Sequence, residues 1–345
     1  MSSHWLHLPA FLTTIGSLLS LWGLVVGCGS QPRVELTLAS FAVTKAAYDE
    51  IIPLFEEAWR QQHQQEVVIY QSYGGSGSQA RAVIDGLEAD VVHLALALDV
   101  EKIEAAGLIA PGWAAETPNG DGILTQSVSV IVTRPGNPKQ IEDWADLTRP
   151  DMDVITPNPK TSGSARWNFL ALWGSQLLEG GGEADAFAFA SQVFDNVPVL
   201  PRDAREATDI FFKRQQGDAL ITYENEVILA QLNGENLPYV IPAVNISVDN
   251  PIAVVDKNVD KHNTREAAEA FVQFLYTPTA QREFAKVGFR PVNPSVAAEF
   301  QATFPEVKRL FSAHDIGDWS TIQKKMFDQR AIFDQIQAQI STNDS

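Results

Sequence analysis

The sequence predicts an α/β protein built of two similar units, and three observations carry that expectation. Short apolar runs alternate with longer amphipathic stretches. Several junctions where a run gives way to a helical pattern carry Gly or Ser. A Pro/Gly/Asn-rich passage at 110–122 then separates one such series from a second.

In chain order, Val34–Phe41 alternates and reads as a strand. Residues 44–59 read as a helix that Pro53 is expected to kink or divide. Residues 67–70 form a second strand, followed by Q-S-Y-G-G-S-G-S-Q and a helix through Ala89. The apolar run 91–98 fits a strand of a parallel-dominated sheet, covered on both faces. Residues 127–134 (S-V-S-V-I-V-T-R) alternate as a strand, and 141–147 read as a Pro-bounded helix. The stretch 158–166, N-P-K-T-S-G-S-A-R, follows a short β-rich run and opens a helix to about Leu178, with Phe169, Leu170, Trp173 and Leu177 on one face.

After the break at 180–182, residues 184–194 and 203–215 read as helices and 197–200 as a strand. Ala219–Tyr223 is an apolar strand leading into E-N-E-V-I-L-A-Q-L. Residues 239–242 and 252–255 read as strands around a polar loop, followed by helices at 264–275 and 278–287. A long amphipathic helix is expected at 321–340. The resulting division is a first lobe of 34–120 plus 245–310, a second of 121–244, and a C-terminal helical segment, 311–345, packed back on both.

With 345 residues, 45% of them hydrophobic, the chain can bury two cores. Its net charge of −18 argues against nucleic acid and anionic membranes as partners. A small buried anion responds to local dipoles more than to distant, screened charge, so it stays admissible.

Residues 1–27 contain no Lys, Arg, Asp or Glu and read as a secretory signal. V-V-G-C at 25–28 resembles a bacterial lipobox, which implies lipidation of Cys28, with ordinary cleavage nearby as the rival reading, and 28–33 as a linker. An uncleaved membrane anchor is the alternative; either way the chain is directed out of the cytoplasm. Cys28 is the sole cysteine, so the remainder has no disulfide, thiolate metal site or cysteine nucleophile.

The turns 40–44, 74–78, 162–164 and 203–205 are the places where chemistry could occur. Helix-start N–H groups have no partner inside their helix and carry a partial positive charge, and ligands of open α/β sheets bind where such turns converge. Gly163 would let a ligand approach the backbone closely. Enzyme patterns fail one by one. G-G-S-G-S lacks the closing Gly of a nucleophile elbow, the Gly-Lys of a Walker A loop and the third Gly of a dinucleotide fingerprint. No H-E-x-x-H or H-x-H spacing occurs, and His93, inside an apolar run, reads as a core histidine. No catalytic group, metal or cofactor is therefore expected; a secreted α/β hydrolase is the reading from another class.

N-P-K-T-S-G-S-A-R closely resembles the signature of prokaryotic sulfate/thiosulfate-binding proteins, the receptors of ABC importers for sulfur oxyanions. V-V-I-Y-Q-S-Y-G-G-S-G-S-Q (67–79), G-L-E-A-D-V-V-H-L-A-L-A-L-D-V (86–100), G-N-P-K-Q-I-E-D-W (136–144), G-D-A-L-I-T-Y-E-N-E (217–226) and I-G-D-W (316–319) agree with that family. The resemblance implies a two-lobed type II periplasmic-binding-protein fold with the ligand cleft between lobes. It implies a monomer in the periplasm that captures sulfate, or else thiosulfate or another oxyanion, and delivers it to ABC permease subunits.

It also implies a site. The hydroxyl donor falls on Ser162, and backbone donors fall on Gly163, Ser164, Ser76, Ala204 and Ala42. The family's Trp donor is replaced by Tyr223, its first-turn Asp by Ala42 and its second signature Gly by Ser164. Lys160 and Arg166 are expected to support the loop rather than touch the ligand.

Overall fold

A computed structural model describes residues 33–235 and 238–343; the stretch expected to be a secretory signal and Cys28 lie outside the described residues. The first half runs β1 (Val34–Phe41), α1 (Lys45–His63), β2 (Val67–Gly74), α2 (Ser76–Ile84), β3 (Val91–His93), α3 (Ala97–Ala105) and β4 (Ile123–Thr133). β5 (Val154–Ile155), α4 (Gly163–Leu178), α5 (Glu183–Asp195), α6 (Ala204–Thr208), β6 (Ala219–Tyr223), α7 (Glu224–Leu232), β7 (Tyr239–Val240) and β8 (Val244–Val254) follow. The remainder comprises α8 (Asp256–His262), α9 (Arg265–Leu275), α10 (Pro278–Lys286), β9 (Arg290–Pro291), α11 (Pro294–Glu299), β10 (Arg309–Phe311), α12 (Trp319–Ile322) and α13 (Ile332–Asn343).

The strand order is β2-β1-β3-β8-β4-β6-β5, with β10 on β8 and β7 and β9 on β4. Parallel pairing joins β1 to β2 and β3, and β5 to β6. The middle is antiparallel, which corrects the expectation of a parallel-dominated sheet: β8 pairs antiparallel with β3 and β4, and β4 with β6. β4 and β8, each 11 residues long, form this spine. One end of the β4–β8 pair meets β3 and β9, the other β6, β7 and β10.

Separate apolar clusters flank that spine. Leu36, Leu38, Tyr48, Phe55, Phe271 and Phe284 pack α1, α9 and α10 against β1. Trp167, Phe169, Trp173, Phe194 and Phe333 pack α4, α5 and α13 together. The Phe333 ring meets Phe194 at 5.3 Å and Phe169 at 5.9 Å, both edge-on, anchoring the C-terminal helix.

Several local expectations change. α1 runs unbroken through Pro53, which sits on its exposed face, so the missing hydrogen bond falls where water can replace it. α2 ends at Ile84 rather than Ala89, short of Gly86 at φ 115°. Only 91–93 of the apolar run 91–98 is strand; Leu94, Ala95 and Leu96 lead, fully buried, into α3. Residues 197–200 form no strand, because Val197 N–H turns back to the Phe194 carbonyl and prolines 198 and 201 cannot donate to a ladder. The helix expected at 141–147 is a 3₁₀ turn at Trp144–Thr148. That expected at 203–215 is α6 followed by a wide turn, Asp209–Lys213.

The polar loop expected between 242 and 252 is the body of β8. Its polar side chains are buried and bonded: Asn245 Nδ2 donates to the Ser129 carbonyl at 2.6 Å, and Asn250 Nδ2 to the Ala95 carbonyl at 3.3 Å. The long C-terminal helix is broken at 328–331, after a wide turn at Gln323–Phe327 continues α12, and Arg330 there takes φ 64°. His93 is buried as expected, with Nδ1 at 2.8 Å from the Tyr48 hydroxyl; burial pushes its pKa down to about 3, so it is neutral.

Candidate functional site

Five turns that start helices open on one cavity of about 230 Å³, four of them after strands, and it is lined by all seven residues named from the sequence: Ala42, Ser76, Ser162, Gly163, Ser164, Ala204 and Tyr223. The cavity has room for about seven waters at bulk density. That is more than one tetrahedral anion needs.

The turn after β1 is held by its hydroxyls. Ser40 Oγ donates to the His93 carbonyl at 2.9 Å and Thr44 Oγ1 to the Phe41 carbonyl at 2.8 Å, both buried. This fixes a 3₁₀ turn at Ala42–Thr44 with no side-chain cap over its first N–H groups. The turn after β2 places Gly75 at the start of α2, again without a side-chain cap. Ser76 Oγ is already engaged: it donates to Asp99 Oδ2 at 2.7 Å and accepts from Ala95 N at 3.0 Å. What Ser76 offers the cavity is its backbone N–H, which has no intrahelical partner.

At the third turn, Ser162 N–H is spent on the Asn158 carbonyl at 2.9 Å, whereas its hydroxyl contacts Ser164 Oγ at 2.8 Å and caps Ala165 N only loosely at 3.5 Å. The Ser162 hydroxyl and the Gly163 and Ser164 N–H groups are thus the donors available. A Cβ at Gly163 would lie 3.2 Å from Leu96 Cδ1, so glycine here also serves the packing of α4 against the segment after β3. Trp167 Nε1 reinforces that contact by donating to the Ala95 carbonyl at 2.8 Å.

At the fourth turn, Asp203 Oδ1 accepts from Glu206 N at 2.9 Å and Oδ2 from Arg202 Nε at 3.1 Å. Its carboxylate is therefore occupied in capping α6, which leaves the Ala204 N–H as the cavity donor. Lys160 and Arg166 face elsewhere. Lys160 Nζ pairs with Asp334 Oδ1 at 2.8 Å and with the Phe327 carbonyl at 2.9 Å. Arg166 Nε donates to the Pro159 carbonyl at 3.1 Å with its guanidinium over the Phe327 ring.

The fifth turn, after β6, was not among those singled out from the sequence. It supplies Tyr223 and Glu226. The Tyr223 hydroxyl is buried and has no hydrogen-bond partner among the described residues. Burial, and then the nearby Glu226 charge, push its pKa up, so it stays protonated and able to donate. Burial pushes the Glu226 carboxyl up to about 7, against the pull of Arg205. Glu226 was missed because it reads as an ordinary acidic residue in the first turn of a helix; the only local signal is its place three residues after a strand end. Among the described residues no group of His, Cys, Asp and Glu is arranged to hold a metal ion.

A β/α frame whose helix starts surround one cavity with donors suits a solute receptor, and comparison with known proteins agrees. Residues 36–290 match the family model described as bacterial extracellular solute-binding protein. A sulfate-binding protein of Synechocystis is 54% identical over 89% of this chain and 87% of its own length. A thiosulfate-binding protein of Pseudomonas aeruginosa is 38% identical over 91% of this chain and 95% of its own. Among solved structures, the sulfate-binding protein SubI of Mycobacterium tuberculosis superposes with a TM-score of 0.77 at 37% identity, covering 86% of this chain and all of that one. The chain belongs to the bacterial extracellular solute-binding protein family, in the group of the sulfate- and thiosulfate-binding proteins.

Proposed function

We propose that this chain captures sulfate outside the cytoplasm and delivers it to the permease of an ABC importer. One observation carries the reading: a buried Tyr223 hydroxyl, unpartnered among the described residues, shares one cavity with the uncapped starts of α2 and the turn after β1, and with the Ser162 hydroxyl. The donors this cavity offers an anion are mostly neutral hydroxyl and N–H groups; Arg205 also lines it, and its charge acts on the neighbouring Glu226 carboxyl. Each neutral donor bonded to the dianion contributes about 1.5–3 kcal/mol.

The relatives named sulfate-binding protein support the ligand, and the family supports the export. Among the described residues no helix is long and apolar enough to cross a membrane. Tethering through a lipidated Cys28 is part of the proposal; mass spectrometry of the mature N-terminus tests it. So is a closing motion between lobes of 34–120 plus 245–310 and of 121–244, which would expel the surplus water from the cavity. On this reading the chain is a receptor rather than an enzyme, which its solute-binding relatives support. Thiosulfate is the second reading: Tyr223 stands where the family is expected to carry Trp, which leaves the choice of oxyanion open, and a thiosulfate-binding relative of Pseudomonas aeruginosa matches most of the chain.

Calorimetric titration of the mature protein with sulfate, thiosulfate, molybdate and phosphate decides the matter. Saturable sulfate binding at least tenfold tighter than phosphate at neutral pH is expected. Equal affinity for phosphate, or no sulfate binding, overturns the proposal; a tighter thiosulfate isotherm moves it to the second reading.

A further inference from the structure

Outside the cavity lies a second, larger hollow of about 750 Å³. It shares Gly75, Thr161, Gly163 and Asp203 with the cavity lining, so the two hollows adjoin and the larger forms an antechamber beside the cavity. Its charge is opposite to that of the whole molecule. The chain carries −18 overall, with 25 Lys and Arg against 43 Asp and Glu. The antechamber wall nonetheless collects the cations Arg81, Lys102, Lys160, Arg166 and Arg202 against Asp99 and Asp203.

Those cations are not equivalent. Lys102 is neutralised by the buried Asp99 at 2.8 Å, and Lys160 by Asp334 at 2.8 Å. Arg166 is half-buried, with its guanidinium over the Phe327 ring. Arg202 touches only the adjacent Asp203, at 3.1 Å, with its side chain 81% exposed. Arg81, on the exposed face of α2, has no side-chain partner among the described residues. Arg81 comes from the first half of the chain and Arg202 from the second, yet both line the same hollow.

We propose that Arg81 and Arg202 form an outer encounter subsite that draws a divalent oxyanion into the antechamber and hands it to the neutral donors within. The inference rests on the sulfate reading above. Division of labour follows from solvation. A solvated guanidinium attracts a dianion over about 10 Å yet holds it weakly, so it speeds entry without fixing the ion outside. In ~10 mM salt one such charge raises the density of an approaching dianion about threefold; at ~0.15 M the gain falls to about 1.5-fold.

The test is stopped-flow binding of sulfate to the full mature protein, at low and physiological ionic strength. Arg81→Gln, Arg202→Gln and the double variant are compared with Lys286→Gln, which removes the same charge from an exposed position outside both hollows. Both arginines are exposed, so the variants retain the fold. The double variant is expected to associate about five- to tenfold more slowly at low salt and about twofold more slowly at physiological salt. Its dissociation rate should match that of the parent, and Lys286→Gln should leave association unchanged. Association equal to that of the Lys286 control, or an effect confined to dissociation, overturns the inference. A parent protein with no saturable sulfate signal overturns the sulfate reading instead.

Discussion

The Ser76 hydroxyl donates to the buried Asp99 carboxylate at 2.7 Å, and this bond separates two serines that the sequence makes look alike. Ser76 and Ser162 both stand at helix starts facing the cavity. The Ser76 hydroxyl is consumed by Asp99 and by Ala95 N, whereas that of Ser162 has only a hydroxyl neighbour and a long cap. Ser76→Ala should therefore cost about 1–3 kcal/mol of stability, because a buried acceptor and a buried N–H lose their partner. Its sulfate affinity should stay within about threefold, since the backbone N–H remains. Ser162→Ala should do the reverse, weakening binding about 10- to 100-fold with a stability loss of about 1 kcal/mol or less. Denaturant unfolding and calorimetry on the two variants check both halves; equal affinity losses would reassign the Ser76 hydroxyl to the ligand.

Tyr223→Phe separates binding from stability in another way. The hydroxyl has no partner in the unliganded protein, so its removal relieves an unsatisfied buried group. The unliganded variant should unfold at the same or a slightly higher denaturant midpoint. Sulfate binding should weaken about tenfold or more through loss of one donor to the anion. A destabilised variant with unchanged affinity would show that the hydroxyl serves packing rather than the ligand.

How much of this was legible in the sequence follows from the range over which each feature is determined. β1, β6 and the extent of α4 could be read because a strand's alternation, a Pro-bounded turn and a helix start are written within a few residues. Six of the seven cavity residues lie in turns legible for the same reason, because helix-start N–H groups are positioned by their own turns; Tyr223 was located by the family resemblance alone. β8 was not legible. Asn245 and Asn250 look like loop residues until Ser129 and Ala95, more than 100 positions away, are seen to bond them. Likewise the missing partner of Tyr223 and the elevated Glu226 carboxyl are properties of the assembled cavity. The reach of Gly163 toward Leu96 depends on two segments that meet only in the fold.

That last contact gives a coupling prediction. Leu96 is fully buried, and a Cβ at position 163 would press on its Cδ1 at 3.2 Å. Leu96→Ala alone should cost about 2–4 kcal/mol through the cavity it leaves. Gly163→Ala alone should cost about 1 kcal/mol through crowding. In the double variant the new methyl occupies part of the vacated space, so the total should fall short of the sum by about 0.5–1 kcal/mol. Urea unfolding of the four proteins measures the cycle, and strict additivity would mean that the backbone, not Leu96, yields to the methyl.

A pH prediction arises far from the cavity, where His262 joins α8 to the segment before β3. Its Nε2 lies 2.9 Å from Glu88 Oε2 and its Nδ1 2.9 Å from Asp90 Oδ1. Glu88, and then Asp90, hold the imidazole pKa above its ordinary value. A pKa raised by folding means that the charged pairs stabilise the native state fully below the unfolded-state value of about 6.5. That contribution is lost as pH rises through the higher folded value. His262→Gln should therefore lower stability by about 1 kcal/mol at pH 5.5, and the deficit should shrink toward zero by about pH 9. Thermal unfolding of parent and variant across that range provides the check. A deficit that grows with pH would require the neutral imidazole to be the stabilising form, with Asp90 held instead by its bonds from Thr264 Oγ1 and Thr37 N, each at 2.8 Å.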